Sequence, residues 1–177
     1  KRLGLLGASV TQHPQFDDLL QWLDKDRFDG TRVSVSSVRA ATVTPELSRI
    51  LAKRGSRSLT IAIESGSERM RDVVNKKLTT EAIHAAASYA KQGGLSGLKL
   101  YGMVGLPTET DDDVDATAEL LLTLKKATPG LRLTLGVSTF VPKAQTPFQW
   151  QGVRPEADKR LKRLTKKLKP KGIEFRP

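Results

Sequence analysis

The sequence predicts an α/β fold: a partial TIM-like barrel of about five parallel strands with external helices. Short apolar, often β-branched runs alternate with helix-spaced patterns along the chain, the order produced by parallel strands joined through crossover helices. Capping and turn residues sit between these segments. The composition, 38% hydrophobic and 28% charged over 177 residues, is that of one globular domain with a sizeable core.

The first strand is expected near residues 3–8, followed by a helix near 15–25 whose face is Phe16, Leu19, Leu20 and Leu23. A second strand is expected near 33–38. The helix after it, near 45–54, opens with Thr44 and Pro45, a cap followed by proline in the first helical position. The third strand, near 59–63, leads into Ser65-Gly66-Ser67-Glu68, where Ser65 and Glu68 have the spacing of a capping box for a short helix after Gly66. Ile83, Ala86, Ala87 and Ala90 form the face of a longer helix near 79–92. The fourth strand, 97–104, is nearly all apolar, which predicts cover on both faces. Thr110 then precedes Asp111, Asp112, Asp113 and Asp115, acids that suit the N-terminus of a helix over 111–127 better than a metal site. The last strand is expected near 131–140 and the last helix near 156–168. Residues 1–177 therefore read as a single domain: a βα array over 1–153, then a basic helix and tail over 154–177.

Charge is concentrated in that tail. The net charge is +11, and Arg154 to Arg176 hold ten basic residues against three acids. Leu161, Leu164 and Leu168 form an apolar line flanked by Lys159, Arg160, Lys162, Arg163, Lys166, Lys167, Lys169 and Lys171. This pattern reads either as the solvated face of a packed helix or as a contact for RNA or another polyanion. With no apolar run of roughly 18 residues, a membrane span is not expected, and a cytoplasmic location is. The chain begins at Lys1 and is read as a fragment. His13 and His84 are its two histidines, one in a loop and one on a polar helix face, so a paired histidine site is not expected.

Right-handed crossovers gather the strand-to-helix loops on one edge of a parallel sheet, outside the carboxyl ends of the strands. Candidate ligand residues therefore lie in Gly7 to Pro14, Ser37 to Thr44, Glu64 to Glu68, Gly105 to Thr110 and Thr139 to Trp150. Glu64 ends a strand as an acceptor for hydroxyls or an ammonium, and Gly66 allows close backbone approach. Gly102 and Gly105, beside Lys99 and Tyr101, read as marks of a ligand or another backbone close to the strand. Phe140 to Trp150 is an aromatic, proline-rich loop that either plugs the barrel or grips a flat ring.

Taken in order, Gly7-Ala8-Ser9-Val10-Thr11, Ser36-Ser37-Val38-Arg39, Glu64-Ser65-Gly66-Ser67-Glu68-Arg69, Lys99 to Thr110 with its Gly-Leu-Pro-Thr-Glu-Thr, and Phe140 to Trp150 with Phe-Val-Pro-Lys resemble the radical S-adenosylmethionine (SAM) enzymes. The likeness extends from about Leu3 to Trp150 and is greatest to cobalamin-binding-type and related members. It implies SAM as cofactor, a 4Fe-4S cluster in the parent enzyme, and cobalamin as a further cofactor of that parent. Residue roles follow at the matching positions. Gly7, Ala8 and Ser9 would meet the amino end of SAM and Arg39 its carboxylate. Glu64, Ser65 and Gly66 would lie at the ribose and amino acid, and Met103, Val104, Gly105 and Val141 at the adenine.

The chain contains no cysteine, whereas the family holds its cluster with three thiolates on the loop after its first strand. The resemblance thus implies that the cysteine-bearing strand is absent and that the isolated chain does not generate radicals. The expected function is part of an enzyme core that abstracts hydrogen from an unknown substrate. The alternatives are a noncatalytic cofactor-binding module and a nucleic-acid-binding α/β domain. An absent first strand would also leave the edge at Leu3 to Ala8 unpaired, a route to self-association.

Overall fold

Alternation of side chains across the strands builds a sheet with one face against helices and one face open. The computed structural model describes all 177 residues. Strands β1 (Arg2–Leu5) and β2 (Arg32–Val35) pair in parallel with Leu3 opposite Val33. Strands β3 (Ser58–Glu64), β4 (Gly97–Val104), β5 (Arg132–Thr139) and β6 (Glu174–Arg176) form a second parallel set in that order. A single parallel bridge between Val38 and Ile61 joins the two sets, with the Val38 N–H donating to the Thr60 carbonyl at 2.8 Å. The result is a β1-β2-β3-β4-β5-β6 array, a partial barrel.

Six helices cover its outer face: α1 (Phe16–Leu23), α2 (Pro45–Lys53), α3 (Glu68–Val73), α4 (Thr80–Gln92), α5 (Asp111–Ala127) and α6 (Ala157–Leu168). Leu59, Ile61 and Ile63 of β3, Leu98 and Leu100 of β4, and Leu133, Leu135 and Val137 of β5 point into one core against them. The predicted faces of α1 and α4 are in that core, with Ile83, Ala86, Ala87 and Ala90 fully buried. Thr44 caps α2 by accepting from the Leu47 N–H at 3.0 Å.

Four expectations are corrected. The strand near 131–140 is not the last: in the tail after α6, Ile173 and Phe175 are buried, and Leu135 pairs with Phe175 in a sixth strand. Three residues are too few to show an alternating pattern. The first two strands are shorter than expected, and Leu6 to Ser9 and Ser36 and Ser37 are loop, because the chain turns at the three-residue 3-10 segments Val10–Gln12 and Ala40–Thr42. Strand β4 is not covered on both faces. Its alternate residues Lys99, Tyr101 and Met103 point into the open concave side, and Tyr101 is 51% exposed. The fourth correction concerns the cap of α3. Ser67, not Ser65, accepts from the Met70 N–H, at 3.3 Å, because the turn at Ser65 and Gly66 shifts the helix start by two residues. Glu68 instead accepts from the Thr80 N–H at 3.1 Å.

The acids at the start of α5 act as the sequence predicts, and they also receive the basic face of α6. Thr110 and Asp113 form a capping box, and the Asp113 carboxylate also accepts from Ser67 at 2.6 Å and from Arg69. Asp115 pairs with Arg163 at 2.5 Å and Lys167 at 2.8 Å. Burial pushes the Asp113 carboxyl up, but the hydrogen bonds from Arg69, Ser67 and Thr110 outweigh it and hold the group well below the usual carboxylate range. Hydrogen bonds from Arg163 do the same for Asp115.

Both carboxyls bind protons more weakly folded than unfolded, where the value is about 3.9. Their stabilisation is therefore present in full above about pH 5 and lost as pH falls toward the folded values. The urea midpoint is expected to fall between pH 6 and pH 3, and to fall less in Asp113→Asn/Asp115→Asn, which starts lower. An equal fall in the double variant would show that these two groups do not carry the acid sensitivity.

Candidate functional site

All strands run the same way, so their carboxyl ends and following loops share one edge, and three concavities open there. The first, of about 170 Å³, is lined by Ala8, Ser9, Ser37, Arg39, Lys76 and Lys77, among others. It is cationic. Arg39 is exposed and donates to Gln12 at 3.2 Å. Lys76 donates to Glu64 at 2.7 Å, which ties the end of β3 to this cleft.

Glu64 is aimed by the backbone. It sits at φ +63° after a register shift in β3, a left-handed conformation uncommon for a residue with a side chain. That shift brings the Glu64 carbonyl against β4, where a side chain at Gly102 would place its Cβ 2.9 Å from the carbonyl oxygen. Close approach of another backbone thus accounts for Gly102. Strained backbone at a cleft is often kept where it positions a functional group.

The second concavity, of about 440 Å³, is apolar and is lined by Val73, Val74, Met103, Leu106, Phe140, Val141 and Phe148 with neighbouring residues. Phe140 and Phe148 meet edge to face with centroids 6.1 Å apart, so the loop after β5 forms a wall. Val141 is 60% exposed at its rim. The third concavity, about 500 Å³, is the concave face of the sheet itself; Glu64 and Met103 line it, Met103 is shared with the apolar concavity, and Glu64 is tied to the cationic cleft through Lys76.

The structure thus brings Ala8, Ser9, Arg39, Glu64, Met103 and Val141 to these cavities and places the remaining predicted residues elsewhere. Gly7 lies beside the cationic cleft without lining it. Ser65 is buried, and its Oγ accepts from the Ser67 N–H at 3.1 Å. Gly66 faces α5, and its N–H donates to Thr117 Oγ1 at 2.9 Å. Val104 is in the main core. Gly105 adopts φ +79°, faces Ala157 and donates its N–H to Glu109 at 2.7 Å. These residues shape the loops that carry the lining residues.

Lys76, Lys77 and Leu106 line the cavities and were missed by sequence reasoning. The two lysines follow α3, and Asn75 and Lys77 both have positive φ, so the signal was a short charged turn at a carboxyl edge.

The Gly105 to Thr110 loop is held by a buried ion pair. Glu109 accepts from Arg160 of α6 at 2.9 Å, and Arg160 donates again to the Glu109 carbonyl at 2.6 Å. Burial pushes the Glu109 carboxyl up, against the pull of the Gly105 N–H and Arg160. Arg160, Arg163 and Lys167 are therefore structural partners of α5 and its loop, while Lys159, Lys162, Lys166 and Lys169 remain exposed.

A model of the radical SAM superfamily matches residues 1–121 of the chain. The chain belongs to the radical SAM superfamily. It is 36% identical over 173 residues to an uncharacterized protein of Methanocaldococcus jannaschii, a match covering 97% of this chain and 37% of that protein. Its fold is similar to that of coproporphyrinogen III oxidase (HemN) from Escherichia coli, a radical SAM enzyme, with a TM-score of 0.62 and 16% sequence identity over 94% of this chain and 40% of HemN. The chain spans well under half the length of these relatives.

The residues present fit one of the two groups that radical SAM membership implies. A cationic cleft, a carboxylate at a strand end and an apolar wall on a shared edge match the carboxylate, hydroxyls and flat ring of SAM. A 4Fe-4S cluster needs thiolates, and there is no cysteine among these residues, nor any group of three or more His, Asp or Glu side chains placed to hold a metal ion. The cluster does not fit this chain's own side chains. No helix is long and apolar enough to cross a membrane.

Proposed function

We propose that these residues form the SAM-binding part of a radical SAM enzyme core, serving hydrogen abstraction from a substrate by an enzyme whose cluster ligands lie outside them. The observation that carries this reading is the set of cavities at one edge: Arg39 and Lys76 line the cationic one, Lys76 pairs with Glu64, and Glu64 shares the concave face with Met103 of the apolar wall that Val141 and Phe148 complete. In this arrangement Arg39 binds the carboxylate of SAM, Glu64 accepts from its hydroxyls or ammonium, and Met103 and Val141 exclude water from its ring. The cofactor supplies the radical chemistry once joined to a cluster, and the protein supplies orientation.

Calorimetry with SAM tests the reading. Weak binding is expected, and Arg39→Ala and Glu64→Ala should each weaken it about tenfold, the effect of losing one charge-assisted hydrogen bond. Binding unchanged by both substitutions would place SAM elsewhere.

The absence of cysteine favours a second reading, a noncatalytic SAM-binding module. Anaerobic reconstitution with iron and sulfide is expected to leave no stoichiometric iron on this chain after gel filtration under either reading. Retention of about four irons per chain would overturn the ligand argument. The two readings part at the full reading frame, where a Cys-x-x-x-Cys-x-x-Cys segment upstream supports the enzyme.

A further inference from the structure

Beyond Glu64 and Met103, the concave face of the sheet carries a lysine and an aromatic ring that SAM binding does not use. Strand alternation and register place Thr60, Lys99, Thr134 and Glu174 in one row across β3 to β6, and Ala62, Tyr101, Gly136 and Arg176 in the next. The acids bordering this cavity are engaged: Glu64 with Lys76 at 2.7 Å, and Glu174 with Arg176 at 2.8 Å and Thr134 at 3.0 Å. Lys99 differs from them. It lines the cavity half-buried and makes no hydrogen bond or ion pair, with Thr60 and Thr134 as its cross-strand neighbours. An ammonium that lines a cavity without a partner is free to form a charge-assisted hydrogen bond with an incoming anion.

Tyr101 stands two residues further along the same strand and on the same face, about 7 Å away along the strand. Its ring crosses β5 at Gly136, where any Cβ would lie 2.7 Å from a ring carbon, yet the residue is 51% exposed. The glycine lets an aromatic ring lie over the sheet with much of its surface facing the cavity. A lysine and an aromatic ring so placed can receive the two parts of one ligand: an anionic group and a flat ring.

We propose that this concave wall is the substrate site, and that its substrate carries a carboxylate or phosphate, bound by Lys99, beside an unsaturated ring that packs on Tyr101. The proposal rests on the enzyme reading for the word substrate, while the binding chemistry stands on the wall itself.

The test is titration of the ¹⁵N-labelled chain with benzoate, phenyl phosphate, inorganic phosphate and benzyl alcohol, following the amides of Lys99, Tyr101 and Gly136. Benzoate or phenyl phosphate is expected to shift these amides, and benzyl alcohol to bind at least about tenfold more weakly. Whichever anion binds more tightly distinguishes a carboxylate from a phosphate substrate. Lys99→Met should weaken the preferred anion about tenfold and Lys99→Arg should restore it, while Lys162→Met on α6 should change nothing. Tyr101→Ala should weaken phenyl phosphate more than inorganic phosphate. Lys99→Met should keep the remaining amide spectrum and the SAM affinity of the parent chain.

Equal binding of the anions to parent and Lys99→Met, shifts confined to other surfaces, or tighter binding of benzyl alcohol would overturn the proposal. So would loss of SAM affinity in Lys99→Met, because Lys99 would then belong to the cofactor site. If SAM fails to bind the parent chain while the probes behave as stated, the cofactor reading falls and this site remains.

Discussion

Gly66→Ala is expected to destabilise the chain by about 3 kcal/mol or more and to lower its melting temperature by about 10 °C. A Cβ at this position would lie 2.3 Å from the Thr117 Cα and 2.7 Å from the Ala116 carbonyl oxygen. Both are backbone atoms of α5, so no rotamer change relieves the contact. Either α5 withdraws from the end of β3 or the turn at Ser65 and Gly66 opens, and each movement breaks the bond from the Gly66 N–H to Thr117. Thr117→Ala removes that bond without the clash and should cost only about 1 kcal/mol. Because Glu64 immediately precedes this turn, SAM affinity should fall with stability in Gly66→Ala and hold in Thr117→Ala. Thermal unfolding followed by circular dichroism decides the first point, and a melting temperature within about 2 °C of the parent would sink the packing account.

The same glycine shows how far the sequence could be read. Its position after an apolar strand and before a helix marked the loop correctly, but the residue serves packing against α5 at Thr117, 51 residues away. Local pattern identifies a backbone that comes close to something, and not what it comes close to. Gly102 repeats the lesson with the Glu64 carbonyl. Periodicity placed α4 and its buried face accurately because that helix is long and its partners are apolar, and the cap at Thr110 with the acids after it placed the start of α5. Strand β6 is three residues long and is defined by pairing with β5, which no window of sequence contains.

At the edge, Ala8, Ser9, Arg39 and Val141 were legible as loop residues, and Glu64 and Met103 as residues near strand ends, that the topology gathers on one side. Lys76 was not, because its tie to Glu64 depends on the turn after α3 bringing the lysine back over β3. The basic tail was legible as a charged helix, but its division into paired and free charges depends on which face meets α5. Arg160, Arg163 and Lys167 meet acids there. Lys159, Lys162 and Lys166 do not, and the polyanion contact remains a proposal for that outer face alone.

Glu109→Ala is expected to cost about 3–5 kcal/mol, the penalty for leaving one member of a buried ion pair without its partner. The Glu109 side chain is 2% exposed and that of Arg160 10%. Alanine would strand the Arg160 guanidinium against Asp111, 3.7 Å away and 41% exposed, and would leave the Gly105 N–H without its acceptor. A neutral pair should behave differently. In Glu109→Met/Arg160→Met both desolvation penalties disappear together, so the double variant should lie closer to the parent in stability than either single variant. Function need not recover with stability, because Glu109 also fixes the turn that presents Leu106 to the apolar wall. The double variant should therefore fold while binding SAM more weakly than the parent. Urea unfolding of the four proteins, with calorimetry on those that fold, measures both effects. Additive losses in the double-mutant cycle would show that the two side chains act independently and that the loop is held by its backbone and Thr110 instead.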